Sequence, residues 1–292
     1  MRYEFTDVEL HRKDNGKMLY FNKCSCPDSF ADKNILLVHG LTYTNHVFDI
    51  NYKDYSLVRF LAKNGYTVWR VDIGGYGRSE EYENGFDVDT LNASKDILTA
   101  LEKIRELQSV EKVDLLGWSW GTMTTAKAVA AHPEYVRKLV WIGTCFGGTL
   151  PKTEVTEPFT YLSYPYVTRV FQHMPSGDSD VDYATVEPEV CGIWCDHVFN
   201  MDGRHGRPNG GNREIMGIGD GWLIDASTVK VPTVILNGDI DFYVDQDRVK
   251  TAFAQLPKGS ELHVFHGAGH ALYCETDHYI PFRDTLLAFL QK

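Results

Sequence analysis

The sequence predicts an α/β protein with a mostly parallel eight-stranded sheet and helices on both faces. Apolar runs such as Ile35–Val38 lack polar alternation, as expected for strands buried on both faces of a parallel sheet. After an initial strand–turn–strand, such runs alternate with helix-like segments in residues 1–146 and again in 230–292, the order that parallel βαβ units produce. The alternation is interrupted over 147–229. We therefore expect one core domain, formed by the two flanking parts, with a lid inserted after the sixth strand.

The strands are short segments rich in apolar or β-branched residues and bounded by turn-forming residues. The first two are expected to form a hairpin around Asp14–Lys17, which contains Asn-Gly. The predicted strands are Tyr3–Leu10, Met18–Asn22, Ile35–Val38, Tyr66–Val71, Val113–Leu116, Val136–Ile142, Thr233–Leu236 and Glu261–Phe265.

The helices are marked by their start and stop signals. The first ends at Gly65, the second begins at Asp89 or Thr90 as N-cap, and the third ends near Pro133. The predicted helices are Tyr55–Asn64, Asp89–Leu107, Thr122–Ala131, Asp245–Gln255 and Thr276–Leu290.

The segment 147–229 is too long for an ordinary loop, and its aromatic content argues against disorder. The stretch Gly203–Gly221 contains seven glycines, which favours turns over a long helix. Two interpretations of its side chains are kept: they pack the segment onto the core, or some line an aromatic pocket for a ring-bearing or carboxylate-bearing substrate. The side chains concerned are Tyr161, Tyr164, Tyr166, Phe171, Trp194, Phe199, Trp222, His173, Asp196, His197, Arg204, His205, Arg207 and Arg213.

Charge and composition exclude several classes of protein. The chain has 29 Lys and Arg against 40 Asp and Glu, a formal charge of −11. Binding to nucleic acid or to an anionic membrane depends on clustered basic residues, so we expect neither. No apolar run reaches the roughly 18 residues of a membrane-spanning helix. Residues 1–7 have no apolar segment typical of a signal peptide, so we expect a cytoplasmic location.

The cysteines and the glycine-rich loops give no sign of a metal or nucleotide site. Six cysteines in a long chain without a secretion signal predict free thiols. Cys191, Cys195 and His197 lie close in sequence, but a structural zinc site needs four ligands, so no metal is expected. The loop Asp72–Ser79 lacks the order of a phosphate-binding loop.

The strongest motif is Gly117-Trp118-Ser119-Trp120-Gly121, which lies between a predicted strand and a predicted helix. It matches G-x-S-x-G in the context that this motif requires. The sharp turn lifts the Ser119 hydroxyl out at the carboxyl end of the sheet, where open α/β sheets bind ligands. We therefore expect Ser119 to be a nucleophile.

A serine nucleophile needs a general base, which in turn needs an acid to orient it. His270 follows the last predicted strand in a glycine-rich loop and is the expected base, whereas His263, His266 and His278 lie in or beside a strand or inside a helix. Asp239 and Asp241 both follow the strand Thr233–Leu236. We favour Asp241, which is further from the strand and freer to turn toward His270, and we expect Asp239 to cap the turn.

The oxyanion of a tetrahedral intermediate needs preorganised N–H donors. One expected donor is the backbone N–H of Trp120, the residue after the nucleophile. The other is that of Leu41 in the loop His39-Gly40-Leu41-Thr42, with the Leu41 side chain in the acyl pocket. His39 is interpreted as a buried brace for this loop.

Together these motifs resemble the α/β-hydrolase fold superfamily, in the branch that carries a cap after the sixth strand. The motifs occur in the family's order across nearly the whole chain: His39-Gly40, Asp72-x-x-Gly75-x-Gly77-x-Ser79, Gly117-Trp118-Ser119-Trp120-Gly121, His132-Pro133-Glu134, Gly238-x-x-Asp241 and Gly269-His270. The resemblance implies the fold and a Ser-His-Asp triad, but it says little about the substrate, because this fold supports many chemistries.

The chain also departs from some branches of this superfamily. The oxyanion loop lacks the His-Gly-Gly-Gly run of many lipases, which disfavours bulky tertiary-alcohol esters and long-chain triglycerides. Trp120 after the serine resembles proline iminopeptidases of this fold. A serine nucleophile disfavours dehalogenases and epoxide hydrolases, which use aspartate at that position.

We therefore expect a serine hydrolase that cleaves a small or medium carboxylic ester or lactone through an acyl-enzyme. An amide or N-terminal peptide bond is the second candidate, prompted by Trp120, and acyl transfer is the third. A binding protein without catalysis is the alternative from another class. The expected partner is a small-molecule acyl substrate, and no cofactor is expected. Such folds commonly pair through the lid or an edge strand, so a homodimer is kept as an alternative to a monomer.

Overall fold

The structure is a computed structural model, and it describes residues 2–27, 29–174, 179–201 and 206–292. Its strands are β1 (Glu4–Val8), β2 (Phe21–Ser25), β3 (Asn34–Val38), β4 (Thr67–Val71), β5 (Val113–Trp118), β6 (Val136–Ile142), β7 (Phe159–Tyr161), β8 (Gly206–Pro208), β9 (Thr233–Gly238) and β10 (Glu261–Phe265). Its α-helices are α1 (Leu57–Lys63), α2 (Thr90–Gln108), α3 (Trp120–Ala131), α4 (Tyr164–Thr168), α5 (Pro188–Asp196), α6 (Gly210–Gly217), α7 (Gln246–Phe253) and α8 (Tyr279–Gln291).

The main sheet has eight strands in the order β1-β2-β4-β3-β5-β6-β9-β10. All neighbours from β4 to β10 are parallel, and β2 is antiparallel to both β1 and β4. The predicted mostly parallel eight-stranded sheet is therefore confirmed. Because the parallel strands point the same way, the loops that follow them meet at one edge of the sheet.

Both faces of the sheet are covered, as the apolar strand runs predict. In β3, Ile35 and Leu37 belong to one buried apolar cluster and Leu36 and Val38 to the other, since successive side chains point to opposite faces. Helices α1 and α8 pack into the first cluster, and α2, α3 and α7 pack into the second. The site-forming loops are thus held by a sheet buried on both sides.

The second predicted strand begins later than expected. Met18 makes only an isolated bridge with His11, and β2 starts at Phe21. The backbone of residues 18–20 bonds instead to the loop after β4: Glu80 N–H donates to Met18 O, and Asp72 N–H donates to Tyr20 O. A long-range contact that no local pattern encodes therefore replaces part of the hairpin.

The segment between β6 and β9 contains α4, α5, α6 and a small antiparallel sheet of β7 and β8. We call residues 147–229 the insert; these bounds stay a prediction. Its glycine-rich stretch forms no long helix among the described residues, as predicted, but it contains the short, eight-residue helix α6. A β-carbon at Gly211 would collide with the Trp120 ring. The glycine is therefore needed for close packing of α6 on the core, which outweighs its poor helix propensity.

Candidate active site

Ser119 lies on a strained turn between β5 and α3. Its backbone angles are φ 57° and ψ −124°, a conformation that is rare for a residue with a side chain. A β-carbon at Gly121 would lie 2.6 Å from the carbonyl oxygen of Val38, and one at Gly117 would collide with the Gly121 carbonyl. The two glycines therefore permit the close strand–helix approach that exposes the serine hydroxyl.

The structure brings Ser119, His270 and Asp241 into one hydrogen-bonded row. His270 Nε2 lies 2.8 Å from Ser119 Oγ, and Nδ1 lies 2.7 Å from Asp241 Oδ2. A carboxylate only accepts, so Nδ1–H donates to Asp241 and Nε2 is left to accept the serine proton. The imidazole is 2% exposed and the Asp241 side chain 0%. The carboxylate therefore acts on the imidazole with little screening by water.

The two candidate aspartates have separate roles in the structure. Asp241 contacts His270 and also accepts a hydrogen bond from the backbone N–H of Tyr243. Asp239 instead accepts from His266 Nδ1 and from the backbone N–H of Gly267, both at 2.6 Å. Asp239 therefore caps the turn between β10 and His270.

The loop of residues 39–42, which is expected to supply an oxyanion donor, lies directly against Ser119. A β-carbon at Gly40 would lie 2.7 Å from Ser119 Cβ, so only glycine allows this approach. Leu41 lines the same cavity as Ser119. Trp120 is the first residue of α3, so its backbone N–H has no acceptor within the helix. His39 is fully buried and braces the loop, since its Nε2 accepts from the Ile73 N–H and its Nδ1 donates to Gly40 O.

Glu275 supports the histidine loop and was not singled out in the sequence. Its buried carboxylate accepts the backbone N–H of Gly269 with both oxygens, at 3.0 and 3.1 Å, and contacts His278 Nδ1 at 3.2 Å. The hydrogen bond that His278 donates to the Glu275 carboxylate raises the pKa of His278. His278 precedes α8 rather than lying inside it. No local pattern distinguishes this glutamate from a surface residue.

A cavity of about 500 Å³ opens above Ser119 and His270, a size typical of small-molecule sites. The core contributes Leu41 and Tyr243 to its wall, and the insert contributes apolar and cationic side chains. The insert residues in this wall are Leu150, Pro151, Thr153, Val155, Thr160, Tyr166, Arg169, Val170, Arg207, Asn212, Ile215 and Met216.

The structure separates the insert residues into those that pack against the core and those that line the cavity. Phe171 and Trp194 are fully buried and pack it onto the core. Tyr166 and Arg207 line the cavity, together with Arg169, which no sequence motif singles out. Arg204 and His205 lie outside the described residues.

The cysteines, the potential metal ligands and the helix lengths bear on cofactors and membranes. All six cysteines are buried free thiols. Within the described ranges, His, Cys, Asp and Glu side chains form no group of three or more that could hold a metal ion. In the same part of the chain, no helix is long and apolar enough to cross a membrane.

The fold and the serine elbow define an α/β-hydrolase, and comparison with known proteins specifies the family. A family model described as serine aminopeptidase, S33, matches residues 30–277. The chain belongs to this family and is a serine hydrolase of the α/β-hydrolase fold.

Two relatives of the chain are also hydrolases. The chain is 27% identical over 243 residues to 2-hydroxy-6-oxononadienedioate/2-hydroxy-6-oxononatrienedioate hydrolase 2 of Pseudomonas putida, covering 79% of each chain. It is 25% identical to the corresponding hydrolase of Escherichia coli K12, covering 97% of this chain and 95% of that one.

Solved structures show the same fold at lower identity. An esterase from Exiguobacterium antarcticum superposes with a TM-score of 0.68 at 20% identity, over 98% of this chain and all of the other. A bromoperoxidase from Bacillus anthracis superposes with a TM-score of 0.69 at 19% identity, with the same coverage.

Proposed function

We propose that this enzyme hydrolyses a carboxylic ester or lactone of small or medium size through an acyl-enzyme on Ser119. The observation that carries the proposal is the row Ser119–His270–Asp241, with spacings of 2.8 and 2.7 Å, at the floor of a cavity of about 500 Å³. A serine next to a neutral imidazole whose other nitrogen is held by a carboxylate is the arrangement that activates a hydroxyl.

The reaction proceeds in two halves. His270 Nε2 takes the proton of Ser119 as Oγ attacks the carbonyl carbon, and the oxyanion is stabilised by the N–H groups of Leu41 and Trp120. The tetrahedral intermediate collapses, the C–O bond to the leaving group breaks, and His270 gives its proton to the departing alkoxide. Water, deprotonated by His270, then releases the acid and restores the Ser119 hydroxyl.

An amide or N-terminal peptide substrate shares this chemistry, and the family description and Trp120 favour it. An aminopeptidase must also bind a substrate ammonium group, which calls for an acidic side chain. Among the described residues, the cavity wall contains no Asp or Glu, and it does contain the guanidinium groups of Arg169 and Arg207. Like charges repel, so the ester or lactone is preferred.

A second candidate comes from the named relatives, which are hydrolases of unsaturated hydroxy-oxo dioates. A molecule of that kind contains no ester, so its hydrolysis breaks a carbon–carbon bond beside the ketone. The proton from His270 would then go to a carbon leaving group. Cleavage of an ester or lactone releases an oxygen leaving group and needs no protonation of carbon. An ester or lactone therefore remains the preferred substrate.

The proposal is tested with 4-nitrophenyl acetate, butyrate and octanoate, a lactone, and alanine and proline 4-nitroanilides. We expect turnover of at least one ester or lactone, with a burst of product from wild type. Ser119→Ala should lower kcat by about 10⁴-fold or more, while Ser227→Ala, an exposed serine outside the cavity, should match wild type. Faster anilide turnover, or activity retained in Ser119→Ala, would overturn the proposal. Absence of all turnover would favour a binding protein.

A further inference from the structure

Two arginines of the insert face the same cavity as the nucleophile. Arg169 follows α4, and Arg207 lies in the middle of β8. Both line the cavity together with Ser119 and His270. Arg207 is only 2% exposed. Two cationic groups therefore line the cavity that contains the reacting groups, and one of them is almost completely removed from bulk water.

No acidic side chain of the described residues pairs with either guanidinium group. Arg207 donates from Nη2 to the hydroxyl of Tyr166 at 2.6 Å, but its Nε and Nη1 have no hydrogen-bond partner among the residues that the structure describes. Within the same residues, the buried Nε of Arg169 has no partner either. Burying unpaired charges and N–H donors costs free energy. An anionic ligand group in the cavity would remove that cost.

The aromatic neighbours stabilise the cations without neutralising them at neutral pH. The guanidinium carbon of Arg169 lies 4.0 Å from the centre of the Tyr166 ring and 5.8 Å from that of Tyr243, and that of Arg207 lies 5.6 Å from Tyr166. Although burial opposes it, the charges of Arg207 and Arg169 lower the pKa of Tyr166 to about 8. Burial raises the pKa of Tyr243 to about 12 and also raises that of Tyr43. Below pH 8 both arginine charges therefore remain uncompensated, and ionisation of Tyr166 at higher pH offsets one of the two.

From this arrangement we infer that Arg169, Arg207 and Tyr166 form an anion subsite that binds a carboxylate carried by the substrate. The guanidinium N–H groups match a carboxylate in charge and in hydrogen bonding. The rest of the insert's wall is largely apolar, with Leu150, Val155 and Ile215 among its residues, which suits an aliphatic chain between the carboxylate and the scissile bond. The inference rests on the proposed function: the substrate class is an ester or lactone that bears a free acid.

The test compares pairs of esters that differ only in the distant acid. The substrates are 4-nitrophenyl half-esters of adipic, pimelic and suberic acids, and 4-nitrophenyl alkanoates of the same chain lengths. We expect wild type to prefer one half-ester by about 10- to 100-fold in kcat/KM, mainly through KM, since one or two charged hydrogen bonds are gained. A fixed distance from Ser119 to the subsite predicts an optimum chain length.

The variants assign that preference to the arginines. Arg169→Met and Arg207→Met should abolish the preference, and Arg207→Lys should restore part of it, because charge is kept without the planar fork. Arg213→Met is the matched control: this arginine of α6 is exposed and lies outside the active-site cavity, so both the preference and the rates should stay at the wild-type level. Thermal melting of each variant shows whether it is folded.

A binding measurement separates this inference from the proposed function. Monomethyl suberate is titrated by calorimetry into Ser119→Ala and into Ser119→Ala with Arg207→Met, and inorganic phosphate is the competing probe. Binding that needs Arg207, in an enzyme that cleaves no ester, would support the subsite and refute the proposed function. Ester turnover without preference for the acid, and without binding of the half-ester, would refute the subsite alone. If phosphate binds more tightly than monomethyl suberate, the subsite recognises a phosphate group and not a carboxylate.

Discussion

Replacing Gly40 by alanine should uncouple the oxyanion loop from the nucleophile. The new β-carbon would lie 2.7 Å from Ser119 Cβ, 3.2 Å from the carbonyl oxygen of Trp118 and 3.3 Å from Ser119 Oγ. Carbon atoms pack at about 3.5–4.0 Å, so the loop or the serine must move by roughly 1 Å. Trp118 and Ser119 belong to the strained turn, which Gly117 and Gly121 already hold in close contact with neighbouring backbone. These two residues therefore have little room to move away from the new β-carbon.

A displacement of that size has a predictable kinetic effect. Misplacing a reacting group by about 1 Å can cost about 100-fold, and loss of one oxyanion donor costs about 10²–10³-fold in kcat. We therefore expect kcat/KM of Gly40→Ala on its best ester to fall by about 100-fold. Overpacking should lower stability by about 1–3 kcal/mol. Steady-state kinetics and thermal melting measure the two effects separately.

The matched control is Gly192→Ala in α5. A β-carbon there meets no atom within 4 Å, and the position is exposed. Alanine should be neutral or should stabilise the helix by about 0.5–1 kcal/mol, with wild-type kinetics. If Gly40→Ala keeps its activity within about threefold of wild type, the assigned position of the oxyanion loop is wrong.

Three further predictions concern the groups around the histidine and the cavity. Asp241→Asn should lower kcat by about 10⁴-fold while the protein stays folded, whereas Asp239→Asn should keep most activity; equal losses in the two would contradict the assignment. Glu275→Gln should lower both kcat and the melting temperature, because the bonds that hold Gly269 are weakened, and unchanged values would show that the carboxylate is dispensable. For an acid-bearing ester, kcat/KM should fall above pH about 8, since the Tyr166 phenolate then competes for the arginines; Tyr166→Phe should remove that fall, and an unaltered profile would exclude this role.

Most of the core could be predicted because its signals are local. Continuous apolar runs identify strands buried on both faces, and the side chain of Asp89 accepts from Asn92 N–H at the start of α2, as its N-cap position predicts. The β2 boundary and α6 could not be predicted in this way. Both depend on contacts distant in sequence: the pairing of residues 18–20 with the loop after β4, and the packing of Gly211 on Trp120.

The residues of the site also fall into two groups, those that local sequence signals predict and those that only tertiary contacts place. The sequence could indicate Ser119, His270 and Asp241 because each follows a parallel strand, and such strand ends meet at one edge of the sheet. Arg169 and Arg207 follow no such rule. They lie in short elements of the insert, and only the tertiary structure brings them to the cavity. Their functional signal is that no acidic side chain in the described part of the chain pairs with them, which a sequence does not reveal.

The most direct test of the central claim is the intact mass of the protein after incubation with a small fluorophosphonate. A single adduct should form on wild type and on Ser227→Ala, and none on Ser119→Ala or His270→Ala. An adduct that persists in Ser119→Ala, or a folded wild-type protein that forms none, would contradict the claim that His270 and Asp241 activate Ser119.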